Sequence, residues 1–281
     1  YREDIQPDVK TYPTISIIIP AYNEEKVIAH TIEGLLETKY PKKEIIFVDD
    51  GSSDKTLSIA MQYKDKIKVL HKENGGKASA LNYGLIYATG EIVVIVDADT
   101  IIGRHSLKEI VKGFEINEHV GAVAGNIKVR NRVNWITKCQ ALEYITGIQI
   151  VRRAFDVFGS ITIVPGALGA FKKSLIAEAG AYGKETIVED FDQTIKLLKA
   201  GLITQGSSKA TAYTEAPNTL RDFVAQRKRW YRGNIQVLKR HSDALTNPRF
   251  GYLQKLSLPY LFLGMIITPI IGFTATANAI L

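Results

Sequence analysis

The stretch Glu91-Ile-Val-Val-Ile-Val-Asp97-Ala98-Asp99-Thr100 decides the fold, because five consecutive β-branched residues lead directly into two carboxylates separated by one alanine. A run without polar alternation is typical of a central parallel strand that is covered on both faces. Ligands of open α/β sheets bind outside the carboxyl ends of such strands. The stretch therefore predicts a buried strand that ends in a charged site.

Asp97 and Asp99 offer the oxygen ligands that hard cations prefer, so Mg²⁺ or Mn²⁺ carrying a substrate diphosphate is the expected occupant. The alternative is that both aspartates only cap the strand and begin a turn, since Asp is a favoured turn residue.

The residues before this strand repeat the same arrangement of a strand followed by a helix. No G-x-G-x-x-G or Walker A sequence follows the first strand, so the fingerprints of dinucleotide and P-loop sites are absent. The pattern favours an α/β fold with a doubly wound, mostly parallel sheet flanked by helices. The strands are predicted at 14–20, 44–50, 66–70 and 91–96, with helices after residue 23, from the turn at 51–54 through 64, and at 78–88.

The second half of the chain has a less regular pattern. We expect helices at 106–117 and 135–155, a strand pair at 120–130, and a strand with a glycine-bearing turn at 161–171. A helix from Val188 to about Ala200 should end at Gly201, and Leu220–Leu238 predicts a strongly basic amphipathic helix.

Composition limits the partners. The 281 residues carry a formal net charge of +7, which suits a nucleotide diphosphate or the negatively charged cytoplasmic leaflet of a membrane, while nucleic acid stays possible on charge alone. The single cysteine, Cys139, excludes an internal disulfide framework and a Cys-based zinc site, which indicates a reducing, intracellular setting. The five histidines have no paired spacing, and none is assigned to a metal.

Both ends suggest membrane association and a longer chain. The sequence begins at Tyr1 without a signal segment, so we expect it to be a piece of a longer protein. Residues 256–281 contain no charge and are long enough to cross a bilayer, which predicts one transmembrane helix; a buried or interfacial helix is the alternative. Basic residues before this segment place the preceding domain in the cytoplasm: Lys239, Arg240, Arg249 and Lys255.

Five motifs occur in a fixed order along the chain. Together they resemble the family 2 glycosyltransferases with the GT-A fold, and more narrowly the membrane-embedded processive synthases of cellulose, chitin, hyaluronan and poly-N-acetylglucosamine. The resemblance covers nearly all of residues 14–240. The motifs are Pro20-Ala-Tyr-Asn-Glu24, Val48-Asp49-Asp50-Gly51-Ser52, Asp97-Ala98-Asp99, Glu189-Asp190 and Gln226-x-x-Arg229-Trp230. Residues 75–82 and 164–173 are also similar to segments of the poly-N-acetylglucosamine branch.

The resemblance implies an inverting, metal-dependent hexosyltransferase that uses a UDP-sugar, with N-acetylglucosamine or glucose as the expected sugar. Asp97 and Asp99 would hold Mg²⁺ or Mn²⁺, and Lys77 would reach the diphosphate. Asp50, with Asp49 as a further candidate, would contact the uracil and ribose. The full set of donor-contacting residues that it implies is Ala21, Tyr22, Glu24, Asp49, Asp50, Lys77, Asp97, Ala98 and Asp99.

On the acceptor side, the resemblance makes Asp190 the general base that takes the proton from the attacking hydroxyl. Glu189 lies beside it, and Glu189 or Asp192 could be the base instead. Gln226, Arg229 and Trp230 would close over the site, with the arginine on the diphosphate and the tryptophan against an acceptor sugar.

Several bland readings stay open. Asp49, Asp50 and Asp190 are also common helix caps, and Lys77 could be a solvated loop lysine. Neighbouring Arg227, Lys228 and Arg232 are expected to form a solvated or membrane-facing surface.

The predicted organisation has three parts: a lead-in segment (1–13), a GT-A catalytic domain (14–240) with a nucleotide-binding half (about 14–103) and an acceptor half (about 104–240), and a membrane-associated segment (241–281). The expected acceptor is a growing polysaccharide or a lipid-linked sugar at the cytoplasmic face of the cell membrane, and no nucleic acid partner is expected. A single-addition enzyme acting on a polyprenyl phosphate or glycolipid is the close alternative. An inactive membrane partner subunit would be expected to lack a motif carboxylate, and none is missing. Nucleotidyl transfer would need a glycine- and arginine-rich loop for the triphosphate near the first strand, and Pro20-Ala-Tyr-Asn-Glu24 does not provide one.

Overall fold

The computed structural model describes residue 9, residues 11–268 and residue 271. An eight-stranded mixed sheet organises them, in the order β3-β2-β1-β4-β7-β6-β8-β5. The strands are β1 (Ile15–Ala21), β2 (Lys43–Asp49), β3 (Lys68–His71), β4 (Ile92–Ile95), β5 (Ile101–Ile102), β6 (Val120–Val129), β7 (Gly169–Lys172) and β8 (Ile203–Thr214).

Eleven α-helices of the described residues surround this sheet, and short π-helical and 3₁₀ turns extend some of them. They are α1 (Ile28–Leu36), α2 (Thr56–Met61), α3 (Lys77–Tyr87), α4 (Ser106–Lys112), α5 (Trp135–Glu143), α6 (Val151–Asp156), α7 (Lys173–Glu178), α8 (Glu189–Lys199), α9 (Leu220–Arg240), α10 (Asp243–Thr246) and α11 (Leu258–Phe262). A π-helical turn, Tyr144–Ile150, joins α5 to α6.

The first four predicted strands form as expected and pair in parallel. Every residue of β1 is buried because the sheet is covered on both faces. Ile17 packs with α1, α2, α4 and α5 in one core. Its neighbour Ile18 packs with α3, α6, α7 and α8 in the other. This period-two alternation between two apolar layers explains why the strand sequences contain no polar face.

The second half departs from the predicted, mostly parallel sheet. β7 pairs antiparallel with both β4 and β6, which makes the sheet mixed. Residues 120–129 form one ten-residue strand rather than a strand pair. Of the segment 161–171, only its end belongs to a strand. No element was predicted for 203–214, yet β8 lies beside β6 in the sheet.

The helix predictions for the second half agree with the structure. The helical stretch from Trp135 continues to Asp156 through the π-helical turn. Gly201 adopts φ +83° just after α8, a conformation that favours glycine and ends the helix.

Residues 243–258 pack on the outer face of α8, where Phe250, Leu253 and Leu258 are buried against Phe191 and Ile195. The predicted transmembrane segment lies partly outside the described residues, at 269, 270 and 272–281. Within the described part of the chain, no helix combines the length and apolar character that crossing a bilayer requires.

Candidate active site

Lys77, in the first turn of α3, joins the Asp97 region to the Glu189–Asp190 pair. Its Nζ lies 2.6 Å from Asp97 Oδ1 and 3.1 Å from Glu189 Oε1. Burial alone would lower the pKa of Lys77, but the charges of Asp97 and Glu189 hold it well above its usual range. Residues from three separate sequence motifs therefore meet at one cation, which replaces the reading of Lys77 as a solvated loop residue.

Asp190 is the second residue of α8 and lies at the edge of this cluster. Its Oδ1 accepts a hydrogen bond from its neighbour's amide, Phe191 N, at 2.8 Å, and its Oδ2 accepts a long one from Gly166 N at 3.4 Å. Burial, followed by the charge of Glu189, raises the pKa of Asp190 to about 6, although Lys77 acts in the opposite direction. A carboxylate that titrates near neutral pH has the proton affinity that a general base needs.

Gly166 allows the loop before β7 to approach this centre. A Cβ atom built at this position would lie 2.7 Å from Lys77 Nζ and 3.2 Å from Asp97 Oδ1. Any side chain here would displace the ion pair. The backbone amide of Gly166 also reaches Asp190, so this loop lies beside both Asp190 and the ion pair of Lys77 with Asp97.

The second carboxylate of the D-x-D motif, Asp99, is half-buried. It accepts long hydrogen bonds from Thr100 Oγ1 at 3.2 Å and from Thr214 Oγ1 at 3.3 Å. Burial and then the charge of Asp97 raise the pKa of Asp99. Burial and then the charges of Asp99 and Asp97 raise the pKa of Glu24 to about 7. Three carboxylates thus crowd one another, which is a surplus of negative charge.

This surplus fits a divalent cation at Asp97 and Asp99. In the part of the chain that the structure describes, no group of three or more His, Cys, Asp or Glu residues forms a complete protein metal site. Mg²⁺ is commonly bound by one or two carboxylates together with substrate phosphates. The donor set therefore suits a metal that arrives with a nucleotide diphosphate.

Asp50 is occupied by its own chain. Its Oδ1 accepts from Lys72 Nζ at 2.6 Å and from Gly75 N at 3.1 Å, and its Oδ2 accepts from Gly76 N at 2.8 Å. These bonds fix the loop that precedes α3 and therefore help to place Lys77.

Its neighbour Asp49 is fully buried and has one oxygen left over. Oδ2 contacts His71 Nδ1 at 2.7 Å and accepts from Ser52 N at 3.2 Å, whereas Oδ1 has no hydrogen-bond partner among the described residues. A buried acceptor without a partner requires an explanation.

The loop after β1 lies against the same strand ends. Ala21 O accepts from Asp50 N at 2.9 Å, and Glu24 N donates to Thr56 Oγ1 at 2.7 Å. Tyr22 is exposed and leaves its ring face free. Ala98 is buried, and its carbonyl accepts from Thr31 Oγ1 at 2.7 Å, which anchors the D-x-D turn to α1.

The side chain of Arg227 in α9 was expected to be solvated or to face the membrane, but in the structure it is bound by other residues of the chain. Its two terminal nitrogens donate to the two oxygens of Glu143, at 2.9 and 2.6 Å. Its guanidinium carbon lies 4.6 Å from the centre of the Trp230 ring and 4.8 Å from that of Phe223. A two-pronged ion pair stacked between aromatic rings fixes α9 to the end of α5.

The other members of the α9 motif differ in exposure. Trp230 packs against the sheet core, and Gln226 is half-buried, with an Oε1 atom that lacks a partner among the described residues. Arg229 is exposed and forms no ion pair with any described residue, so the structure does not bring it to the carboxylate cluster. Lys228 and Arg232 are exposed, as expected.

Sequence reasoning missed three contributors to the site: Glu143, Thr214 and His71. Glu143 lies on a helix with no motif, and Thr214 ends a strand that the polar sequence of 203–214 concealed. His71 was interpreted as an ordinary histidine, although its position at the end of β3 places it beside the end of β2.

Comparison with known families agrees with this geometry, because the model of the family described as "Glycosyl transferase family 2" matches residues 16–180. The chain belongs to glycosyltransferase family 2. This glycosyltransferase has a GT-A-like fold, in which a mixed sheet is flanked by helices.

Curated relatives cover most of the glycosyltransferase. Poly-beta-1,6-N-acetyl-D-glucosamine synthase of Staphylococcus aureus (strain COL) is 34% identical over 245 residues, which are 85% of this chain and 60% of the relative. The enzyme of the same name from Staphylococcus epidermidis is 34% identical over 229 residues, or 80% of this chain and 56% of the relative. The chain therefore spans less than two thirds of the length of these synthases.

Solved structures share the fold. A mannosyltransferase from Pyrobaculum calidifontis, in complex with GDP-Man and Mn²⁺, superposes with a TM-score of 0.70 at 26% identity, covering 99% of this chain and 86% of that one. S. aureus TarS 1–349 in complex with UDP superposes with a TM-score of 0.60 at 20% identity, over 91% of this chain and 73% of that one, which is evidence of fold alone.

Proposed function

We propose that this glycosyltransferase transfers N-acetylglucosamine from UDP-N-acetylglucosamine to a growing polysaccharide, with inversion at the anomeric carbon. One observation carries the proposal: Lys77 contacts both Asp97, of the candidate metal pair, and Glu189, beside the candidate base. Donor and acceptor chemistry would therefore meet within one cluster. The relatives named as poly-N-acetylglucosamine synthases support the choice of sugar.

The donor would bind at the carboxyl ends of β1, β2 and β4. Asp97 and Asp99 would hold Mg²⁺ or Mn²⁺, which when bound would neutralise the diphosphate and make it a better leaving group. Lys77 would add a positive charge to the same diphosphate. Oδ1 of Asp49 has no partner among the described residues, which makes Asp49 a better candidate than Asp50 for accepting a hydrogen bond from the uracil. Tyr22 would cover the nucleoside.

Asp190 would act as the general base. As the acceptor hydroxyl oxygen forms its bond to the anomeric carbon, the proton passes to the Asp190 carboxylate, and the bond to UDP breaks with its electron pair leaving on the diphosphate. Attack from the side opposite UDP gives inversion in one displacement and needs no covalent enzyme intermediate. Trp230 would pack against the acceptor sugar, while Gln226 and Arg229 would complete the cover when donor and acceptor are bound.

Membrane association also belongs to the proposal. The uncharged segment from residue 256, preceded by basic residues, supports a location at the cytoplasmic face of the cell membrane. A lipid-linked acceptor and a polysaccharide acceptor both fit this location.

The test is UDP release by the purified chain in lipid or detergent, with N-acetylglucosamine oligomers as acceptor and with or without Mn²⁺ or Mg²⁺. We expect metal-dependent release with UDP-N-acetylglucosamine, little with UDP-glucose, and loss of release in Asp99→Asn and Asp190→Asn. The Asp190→Asn variant should still bind UDP in calorimetry, because Asp190 does not contact the donor. Full turnover by Asp190→Asn would refute its role as base.

A transferase that uses GDP-mannose is the second candidate. The structure in complex with GDP-Man, which covers 99% of this chain, favours it. The same assay with GDP-mannose separates the two, because one donor should support turnover and the other should not.

A further inference from the structure

The second half of α9 packs directly against the segment that leads into Glu189–Asp190. Gly233 is buried there, and a Cβ atom built on it would lie 2.6 and 2.8 Å from the two methyl carbons of Val188 and 3.0 Å from Ile187 Cγ1. Real Cβ atoms do not approach carbon this closely, so only glycine allows the helix to lie at this distance. Val188 is the residue immediately before the carboxylate pair.

Polar contacts from the same half of α9, and from His241 just after it, hold the residues on both sides of the pair. Before it, Ile187 N donates to Gln236 Oε1 at 3.2 Å. After it, the buried Asp192 contacts His241 Nε2, just past the end of α9, at 3.0 Å. Asp190 lies between these fixed points.

Val188 is the place where a displacement would act on Asp190. Its backbone is not helical, with φ −130° and ψ 76°, and α8 begins at the next residue. A shift of Val188 therefore changes the direction in which the first turn of α8 presents its side chains. Asp97 and Asp99 follow β4 instead.

We propose that Gly233 and Gln236 are positioning residues that hold Ile187 and Val188 so that the Asp190 carboxylate faces the acceptor hydroxyl. This inference rests on the proposed role of Asp190 as base. Displacement of a reacting group by about 1 Å can lower a rate about 100-fold. The contact should therefore control turnover more than donor binding.

The experiment compares Gly233→Ala, Val188→Ala and the double variant. Gly233→Ala should lower kcat about 10- to 100-fold, with the KM for the donor changed less than about 3-fold. Val188→Ala removes both methyl groups that the new Cβ would meet, so the double variant should recover to within about 3-fold of Val188→Ala alone. Such rescue assigns the loss to the steric contact between position 233 and Val188, since alanine itself favours a helix over glycine.

Gly264→Ala is the matched control. It also adds a methyl group to a helical glycine, but among the described residues its Cβ would meet no atom within 4 Å outside its own stretch of helix, and kcat should not change. If Gly233→Ala fails to fold, Gln236→Ala tests the same contact without steric demand, since it removes the acceptor for Ile187 N, and kcat should fall with donor KM unchanged.

Two outcomes would overturn the inference: folded Gly233→Ala with the kcat of the wild type, or a double variant as slow as Gly233→Ala. If Gln236→Ala is the variant tested, an unchanged kcat would also overturn the inference. Failure of the proposed function looks different, because the wild type would then release no UDP, or Asp190→Asn would retain full turnover.

Discussion

Replacing Asp190 by asparagine should abolish transfer and at the same time make the fold more stable at neutral pH. The structure holds this carboxylate in a place that disfavours its charge, since burial and the charge of Glu189 raise its pKa from the ordinary 3.8 to about 6. At about 1.4 kcal/mol for each tenfold change in proton affinity, the charged form lowers the free energy of unfolding by about 3 kcal/mol. Because the side chain keeps some exposure, we expect a measured gain of about 1–2 kcal/mol.

The stability difference between Asp190→Asn and wild type should change with pH in a defined direction. Well below pH 3.8 the carboxyl is protonated in both the folded and the unfolded chain, so the charge has no effect on stability. As pH rises toward about 6, the unfolded chain loses the proton first, and the folded state becomes relatively less stable. The stability difference between Asp190→Asn and wild type should therefore grow between about pH 4.5 and 7.5 and stay constant above that range.

Asp192, two residues further along α8, is the control with the opposite sign. Burial alone would raise its pKa, but hydrogen bonds from His241 and Lys196 lower it to about 2. Asp192→Asn should therefore decrease the free energy of unfolding by about 2 kcal/mol, and by the same amount throughout about pH 4.5 to 7.5, because both its folded pKa and its ordinary value of 3.8 lie below that window.

The assay is urea unfolding followed by tryptophan fluorescence at several pH values, beside the UDP-release assay. Two results would refute the prediction: Asp190→Asn with no higher free energy of unfolding than wild type at pH 7.5, or a stability gain that does not shrink on acidification. Either result would mean that the folded state does not disfavour the charge of this carboxylate.

Three further predictions concern the site. Glu143→Gln removes the charge that pairs with Arg227 and should loosen the tryptophan stacked on that arginine, so the acceptor KM should rise about 3- to 10-fold in steady-state kinetics. The charge-swapped double variant, Glu143→Arg with Arg227→Glu, should recover part of the acceptor affinity. An unchanged acceptor KM in Glu143→Gln would contradict this. Gly166→Ala should separate Lys77 from its carboxylate partner and lower kcat/KM for the donor at least about 10-fold, so calorimetry that finds normal UDP binding would count against it. The kcat of the wild type should be flat above about pH 7 and fall about tenfold per pH unit well below 6, as a proton occupies Asp190; a profile flat to pH 5 would exclude a base with this pKa.

The parallel half of the fold and the carboxylate motifs could be predicted from sequence because their signals are local. An apolar strand with two buried faces, such as Ile15–Ala21, needs no distant information to be recognised. Likewise, a carboxylate that directly follows such a strand lies at a known edge of the sheet. Lys77 followed from its motif resemblance, and the structure places it at the centre of the cluster.

The remaining elements depend on contacts between distant residues. β8 was missed because its buried polar side chains look like those of a loop; Thr204 Oγ1 donates to Ile161 O at 2.8 Å, and Ser207 Oγ donates to Glu109 O at 3.2 Å. Arg227 was assigned to the surface because a run of basic residues does not reveal which helix face meets Glu143. The tight contact at Gly233 could not be foreseen either, since no sequence pattern gives the distance between a helix and the loop that packs against it.

The antiparallel strand β7 also has a consequence for how the protein is made. It fills the edge of β4 by pairing Ile92 with Lys172 and Ile95 with Gly169, so on a ribosome β4 emerges long before its neighbour exists. During that interval this wholly apolar strand, which is buried in the folded protein, has a free hydrogen-bonding edge. Such an edge is a template for pairing with another nascent chain. The residues that follow this strand are Asp97 and Asp99, and their repelling charges are well placed to discourage such association until β7 arrives.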